Sequence, residues 1–398
     1  MMSFLKEAQA IKDVIVSHRR YIHQHAELSL ELPMTKAYVS EKLIEMGYDP
    51  KEVGGGIVAL VGGKTPGKVY LIRGDMDALP IVEESALPFE SKTGNMHACG
   101  HDCHTAMMLG AAQLLKAHED EIDGQIKLMF QPAEETLLGA KSMIDAGLME
   151  NPKVDGAMAI HVITGHHFPT GQLGVLDSGP CTSAADWYEI HVKGKGCHGA
   201  MPNTGVDPLN VITHIFSGLQ SIHAREMPTG SSLALTVGQL HGGRVSNVIP
   251  DTAFMTGTIR TLDDNVRTLA KYRMKEIAEG VAKTFRAEAE VKFTTECPCA
   301  VNDAEMVQHV SECAKKLVGR EGMMDLDGKA GLFMAGSEDF ALVAEKAPGS
   351  FVALSAGSPA EGYEFPLHHP KAKFNEDALP IGAALYADVS MAWLRKNK

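Results

Sequence analysis

No apolar run in this 398-residue sequence approaches the roughly 20 residues needed to cross a bilayer, which argues against a membrane-spanning chain. Excess positive charge is missing too. There are 37 Lys and Arg against 50 Asp and Glu, a formal net charge of −13. Nucleic acid and anionic membrane each need a cationic face, so neither is an expected partner. The opening MMSFLKEAQAIKDVIVSHRR is interrupted by Lys6, Glu7, Lys12 and Asp13. It therefore reads as an amphipathic helix rather than a secretory signal, and the expected address is the cytoplasm. Nor is there a disulfide framework: the cysteines number seven, an odd count in a chain of this kind. Repeats and low-complexity tracts are absent. Gly54, Gly55 and Gly56 lack the context of a phosphate loop. What the chain does hold is histidine, 18 in all, several of them clustered with acidic or cysteine neighbours where metal ligands are usually found.

The length exceeds what one compact core normally holds and predicts two domains. From the start, helical stretches (Phe4 to His25 and Pro33 to Met46) alternate with short apolar strands, GGGIVALVGG, VYLIRGD, QIKLMF and VDGAMAIHV. Buried strands alternating with helices predict an α/β layered domain with a mixed sheet. In such sheets functional groups collect at the carboxyl ends of strands, which is where the polar clusters fall. From about Ala184 the pattern becomes strand, amphipathic helix, two strands, charged helix and strand, a βαββαβ order expected of a compact α+β, ferredoxin-like unit. Past Cys297 the earlier alternation returns. The expected layout is one discontinuous catalytic domain, 1–183 with 297–398, interrupted by a satellite domain at 184–296.

Three groups of residues carry chemistry. HACGHDCHT places Cys99 two residues from His101, and an extended turn brings both to one site; Cys103 and His104 follow at once, and spacing alone does not sort ligands from bystanders. FQPAEE sets Glu134 beside Glu135 directly after a strand. Two adjacent carboxylates repel and are costly at a strand end unless a cation compensates them. Two solvated loop residues is the competing reading of the pair; with the histidines nearby, the expected division of labour is that one ligates metal and the other moves protons. His161 closes the strand AMAI, His166 and His167 lie in the loop beyond, and His368 and His369 sit in FPLHHP. The ensemble points to a dinuclear metal site.

Taken in order, RRYIHQHAELSLE, RGDMDALPI, HACGHDCHTAMMLGAA, FQPAEE, AIHV, GKGCHGAMPNTGVDP, NVIPDTAFMTGTIRT, GSEDF and PLHHPKAKFNED span nearly the whole chain. With them the sequence resembles the dinuclear metallo-amidohydrolases of the aminoacylase and carboxypeptidase superfamily. The branch it looks most like holds hippurate hydrolase, bacterial N-acyl-amino-acid amidohydrolases and plant auxin-conjugate hydrolases. The resemblance implies that Cys99, His101, Glu135, His161 and His368 ligate two divalent metal ions (Zn, Mn, Ni or Co) and that Glu134 is the general base. It implies further that His198 reaches the active site of another subunit in a homodimer or homotetramer, and that Asn247 and Arg260 bind the substrate's carboxylate or oxyanion. A structural salt bridge is the competing role for Arg260. Asp75 and Asp77 are read as groups that orient the ligands. GSEDF either lines the site or supplies an acidic pair at a helix start.

Ala26 and Asn203 depart from residues usual in that branch, which bears on substrate preference and removes no ligand. The expected reaction is metal-dependent hydrolysis of the amide of a small N-acyl amino acid, giving a carboxylic acid and a free amino acid. The same chemistry on a dipeptide, and a catalytically silent metal-binding scaffold, are the alternatives.

Overall fold

The computed structural model describes residues 4–326 and 336–398. The chain forms two compact units. Of the described residues, one comprises 4–181, 300–326 and 339–398; the other comprises 182–299 with 336–338.

The first unit is built on seven strands: β1 (Lys51–Val53), β2 (Gly56–Gly62), β3 (Thr65–Asp75), β4 (Asp123–Gln131), β5 (Gly156–Ile163), β6 (Leu173–Val175) and β7 (Gly349–Ser355). Their order is β1-β2-β4-β3-β5-β7-β6. The four central strands β4, β3, β5 and β7 run parallel, while β1, β2 and β6 join antiparallel. The sheet is mixed. Strand β3 is buried from Val69 to Asp75, and every residue of β7 is buried; a parallel strand covered on both faces needs such an unbroken run.

Three helices matter for the site: α1 (Lys12–Gln24), α2 (His101–Ala117) and α3 (Leu379–Lys396). The last two are buried on nearly all sides, as their Ala, Leu and Met content requires. They pack tightly, because a Cβ on Gly382 of α3 would sit 2.0 Å from Met107 Sδ of α2. In place of one helix from Phe4 to His25, a short helix Leu5–Ala10 precedes α1, and Ile11 between them leaves helical geometry (φ −103°, ψ 14°).

The second unit holds four antiparallel strands in the order 233–242, 252–261, 184–193, 288–297. Helices Pro208–Ser221 and Asp264–Thr284 bury Val211, Ile215, Leu219, Ala270, Met274 and Ala278 in one core with Tyr188, Ile190, Met255 and Ile259 of the sheet. Asp207 and Asp263 cap the two helices, accepting from Leu209 N and from Asn265 N and Val266 N. Trp187 and Phe254 lie on the opposite face of the sheet and are exposed.

Candidate metal centre

Because β3, β4 and β5 are parallel, their carboxyl ends lie on one edge of the sheet, and each runs into a polar segment. Strand β3 ends at Asp75 and leads to Asp77, β4 leads to Glu134 and Glu135, and β5 carries His161. Cys99 and His101 arrive from the start of α2, on either side of Gly100. That glycine has φ +89°, and a Cβ on it would lie 2.4 Å from Val162 Cγ2. Only glycine lets the turn approach β5 this closely.

The donor atoms fall into overlapping sets, within each of which all lie within 4.8 Å of one another. Cys99, His101 and His161 form one; Cys99, Glu135 and His368 form a second; His101, Glu134 and Glu135 form a third. Cys99 Sγ is 3.4 Å from His161 Nε2. His101 Nε2 stands 3.8 Å from Glu134 Oε2 and 3.8 Å from Glu135 Oε1, and Glu135 Oε1 is 3.6 Å from His368 Nε2. Each of two histidines has one nitrogen committed to a carbonyl: His101 Nδ1 donates to Asp77 O at 2.8 Å and His161 Nδ1 to Val162 O at 2.7 Å. Their Nε2 atoms are thereby turned into the cluster, the arrangement that orients histidine ligands in metal sites.

The cluster is short of positive charge. Burial drives the Glu135 carboxyl up to about 7, with His101 opposing and Asp77 and Asp75 adding to the rise. Burial works to lower His101, yet Asp75, Asp77 and Glu135 outweigh it and lift the ring to about 10. Burial, then Glu135 and Glu134, push the Cys99 thiol well above its ordinary value. His101 Nε2 and Glu135 Oε1 are buried with no hydrogen-bond partner among the described residues, a costly state for polar atoms. A divalent cation would satisfy both atoms and replace the protons. The mixture of thiol, imidazole and carboxylate donors suits a borderline metal such as zinc. The residues fit the group.

Asp77 organises the edge. Its Oδ1 accepts the Glu134 N–H at 2.9 Å, its Oδ2 the Glu135 N–H at 3.2 Å, and its carbonyl holds His101. Ala133, Leu137 and His368 around the cluster carry left-handed backbone (φ +54°, +57° and +64°), strain that persists only where surrounding contacts enforce it. Asp75 pairs with Arg73 at 2.7 Å and with His104 Nδ1 at 2.5 Å, while its Oδ2 is 3.7 Å from His101 Nε2. Burial alone would raise the Asp75 carboxyl, but Arg73, His101 and His104 hold it well below the usual carboxylate range.

Other histidines and cysteines of the motifs are used elsewhere. Cys103 is buried close enough to Arg19 and Asp102 to feel their charge; His167 packs on Phe168 and His369 stacks on Phe365. Asp339 of GSEDF precedes the short helix Phe340–Ala344, and its carboxylate accepts from Gln131 Nε2 (2.6 Å), Ala140 N (2.9 Å) and Arg73 Nη2 (3.1 Å).

In the second unit, His198 and Asn247 meet in a two-stranded ribbon. Val248 pairs with His198, Gly199 N donates to Asn247 O at 2.8 Å, and His198 Nδ1 accepts the Ala200 N–H at 3.1 Å. The proton of that ring therefore sits on Nε2. Arg260 projects from strand Thr252–Thr261 with Nη1 lacking a hydrogen-bond partner among the described residues. Asp186, which shares its surroundings, is gripped by Arg267 through two contacts of 2.7 Å. Burial lowers the Arg260 pKa against the pull of Cys297 and Asp186.

A family model described as "Peptidase family M20/M25/M40" matches residues 71–392, most of the chain. The chain belongs to this family. Membership in M20 makes it a hydrolase that acts on amide bonds. Thermostable carboxypeptidase 1 of Saccharolobus solfataricus is 37% identical over 400 residues, covering 98% of this chain and 98% of that protein. N-acetylcysteine deacetylase of Bacillus subtilis is 36% identical over 393 residues, 96% of this chain and 98% of that one. Among solved structures, a Bacillus subtilis protein described as a dinuclear metal binding peptidase of the M20 family superposes with TM-score 0.78 at 32% identity. The match covers 97% of this chain and 99% of that one.

Two residues that hold Asp75 beside the cluster, His104 and Arg73, carry no role in the sequence pattern. The spacing of HACGHDCHT does not separate His104 from the donors around it, and RGDMDALPI by itself gives Arg73 no partner. An arginine in an otherwise apolar buried strand was the available signal, since it demands buried carboxylates, here Asp75 and Asp339.

Proposed function

We propose that this chain hydrolyses the amide bond of N-acyl amino acids with two divalent metal ions, of zinc, manganese, nickel or cobalt type, held by Cys99, His101, Glu135, His161 and His368. The observation that carries the reading is the pair of donor triads sharing Cys99, with Glu134 beside them. The bound ions would supply Lewis acidity, polarising the amide carbonyl and acidifying a water. Glu134 takes the proton from that water and passes it to the departing amine. Its backbone is fixed by Asp77, so its carboxylate stays at the edge of the cluster. Arg260 offers a fork of donors to the substrate's carboxylate, and Asn247 is a further, neutral donor for the carboxylate or the oxyanion; the unpartnered Nη1 of Arg260 supports that role over a structural ion pair. His198, with its proton on the exposed Nε2, stabilises the oxyanion from a second subunit. The homodimer forms through residues 184–296, where Trp187 and Phe254 are exposed.

A peptidase acting on the same site is the second reading, favoured by the resemblance to a carboxypeptidase. Both substrates carry a free α-carboxylate, and the acyl side separates them. The test compares an N-acetyl amino acid, its carboxamide and a dipeptide of the same carboxyl-terminal residue. Arg260 is half-buried, and loss of one hydrogen bond to a charged group costs about 1.5–3 kcal/mol, so the carboxamide should lose at least about tenfold in kcat/KM, and Arg260→Ala should erase the difference. Equal rates on the acid and its carboxamide would remove the carboxylate anchor, and faster turnover of the dipeptide would put the peptidase reading first.

A further inference from the structure

The ladder between β3 and β5 stops early. Pairing runs from Tyr70–Gly156 to Arg73–Ala159, although β3 continues to Asp75 and β5 to Ile163. On its other side β5 stays paired with β7 as far as Ile163. Beyond Ala159, two buried N–H groups of β5, those of Ile160 and Val162, have no strand to donate to, and buried backbone donors do not stay unpaired. Side chains take the strand's place. Tyr386 of α3 accepts the Ile160 N–H through its hydroxyl at 3.0 Å and donates to Arg73 O at 2.6 Å. His104 of α2 accepts the Val162 N–H at Nε2 (2.8 Å) and donates from Nδ1 to Asp75 Oδ1 (2.5 Å). Tyr386 and His104 are thus two successive rungs between diverging strands.

His104 is the rung that reaches the metal centre. Nε2 accepts from a backbone N–H, so the ring's proton lies on Nδ1, and neither nitrogen is left for a metal although Asp75 and His101 are close by. The ring meets that of His161 edge-on, with centroids 4.6 Å apart at 67°. His161 in turn donates from Nδ1 to the carbonyl of Val162, the residue whose amide His104 holds. Removing the rung would free Val162, and with it the acceptor that keeps the His161 proton on Nδ1 and turns Nε2 toward Cys99.

We propose that His104 is a positioning residue for His161, fixing its rotation and tautomer and tying both to Asp75 on the neighbouring strand. The proposal rests on the reading of His161 as a metal ligand. Glutamine at this position would keep a planar neutral group with one acceptor and one donor, whereas leucine would keep only bulk.

The experiment uses the full chain, stripped of metal by chelation, with Zn2+ as the probe. Zn2+ affinity is read by competition with a chromophoric chelator, and histidine tautomers by 15N NMR of the metal-free protein. His104→Leu should bind Zn2+ about 10–100-fold more weakly, the range expected for loss of a residue that orients a ligand, and His161 should lose its single Nδ1–H form. His104→Gln should restore both. Tyr386→Phe, which cuts the deeper rung, should lower the melting temperature and leave Zn2+ affinity unchanged. Wild-type affinity in His104→Leu, while His161→Ala binds weakly, would overturn the positioning role alone. Equal weakening by Tyr386→Phe and His104→Leu would overturn it in favour of general strand spacing. Wild-type affinity in His161→Ala would bring down the ligand reading and this proposal with it. Should the leucine variant not fold, the wild-type spectrum decides: Nδ1–H on both His104 and His161 supports the proposal, and Nε2–H on either overturns it.

Discussion

At the scale of single residues, two neighbouring glutamates differ in their surroundings. Glu135 Oε1 lies 3.8 Å from His101 Nε2 and 3.6 Å from His368 Nε2, so it stands between two of the proposed ligands, whereas Glu134 Oε2 lies 3.8 Å from His101 Nε2. Glu134→Gln should therefore abolish turnover, by several orders of magnitude, while metal content stays close to wild type; Glu135→Gln should lower metal content as well. Elemental analysis with a rate assay checks both, and a Glu134→Gln protein that loses metal while Glu135→Gln keeps it would reverse the roles. The carboxylate pair was legible in FQPAEE because it needs only adjacency and a strand before it. The partners of Arg73 were not. Asp339 lies 266 residues away in the chain, and no local pattern marks a charge satisfied at that distance.

At the scale of elements, the fold gives RRYIHQHAELSLE a role that its sequence alone does not show. From α1, Arg19 Nε reaches Asp102 Oδ2 at 3.0 Å and His23 Nδ1 reaches the same oxygen at 2.8 Å, while His23 Nε2 meets Glu83 at 3.0 Å. All four side chains are buried, and they pin α1 to the first turn of α2, one residue from His101. Burial would lower the His23 pKa, but Asp102 and Glu83 raise it to about 9 against the charge of Arg19. A folded-state pKa above the unfolded value of ~6.5 means stabilisation that is complete below about pH 6.5 and lost as pH rises through about 9, worth on the order of 3 kcal/mol. Urea unfolding of wild type and His23→Gln should show a stability gap at pH 6 that narrows by pH 9.5. A gap independent of pH would contradict this. The break at Ile11 ahead of α1 had no sequence signal, since neither glycine nor proline stands there.

At the scale of the whole molecule, the α/β class was legible because buried parallel strands read as unbroken apolar runs between helices. The order of the sheet was not. Strand β7 joins β5 from nearly 200 residues further along the chain, and β4 lies between β2 and β3 although it follows both; periodicity says that a strand is buried and nothing about its neighbour. Association of subunits has its own test. Mixing inactive Glu134→Gln protein with inactive His198→Ala protein should restore activity on exchange, because each hybrid holds one site with both groups intact. Proven exchange without recovery would rule out a role for His198 across subunits. The central claim, that this edge of the sheet hydrolyses amides through bound metal, is tested most directly by metal analysis and hydrolysis of an N-acetyl amino acid on the same samples. About two divalent ions per chain are expected, with activity falling as a chelator removes them and returning when Zn2+ or Mn2+ is restored. Full hydrolysis by protein in which analysis finds no metal would contradict the account.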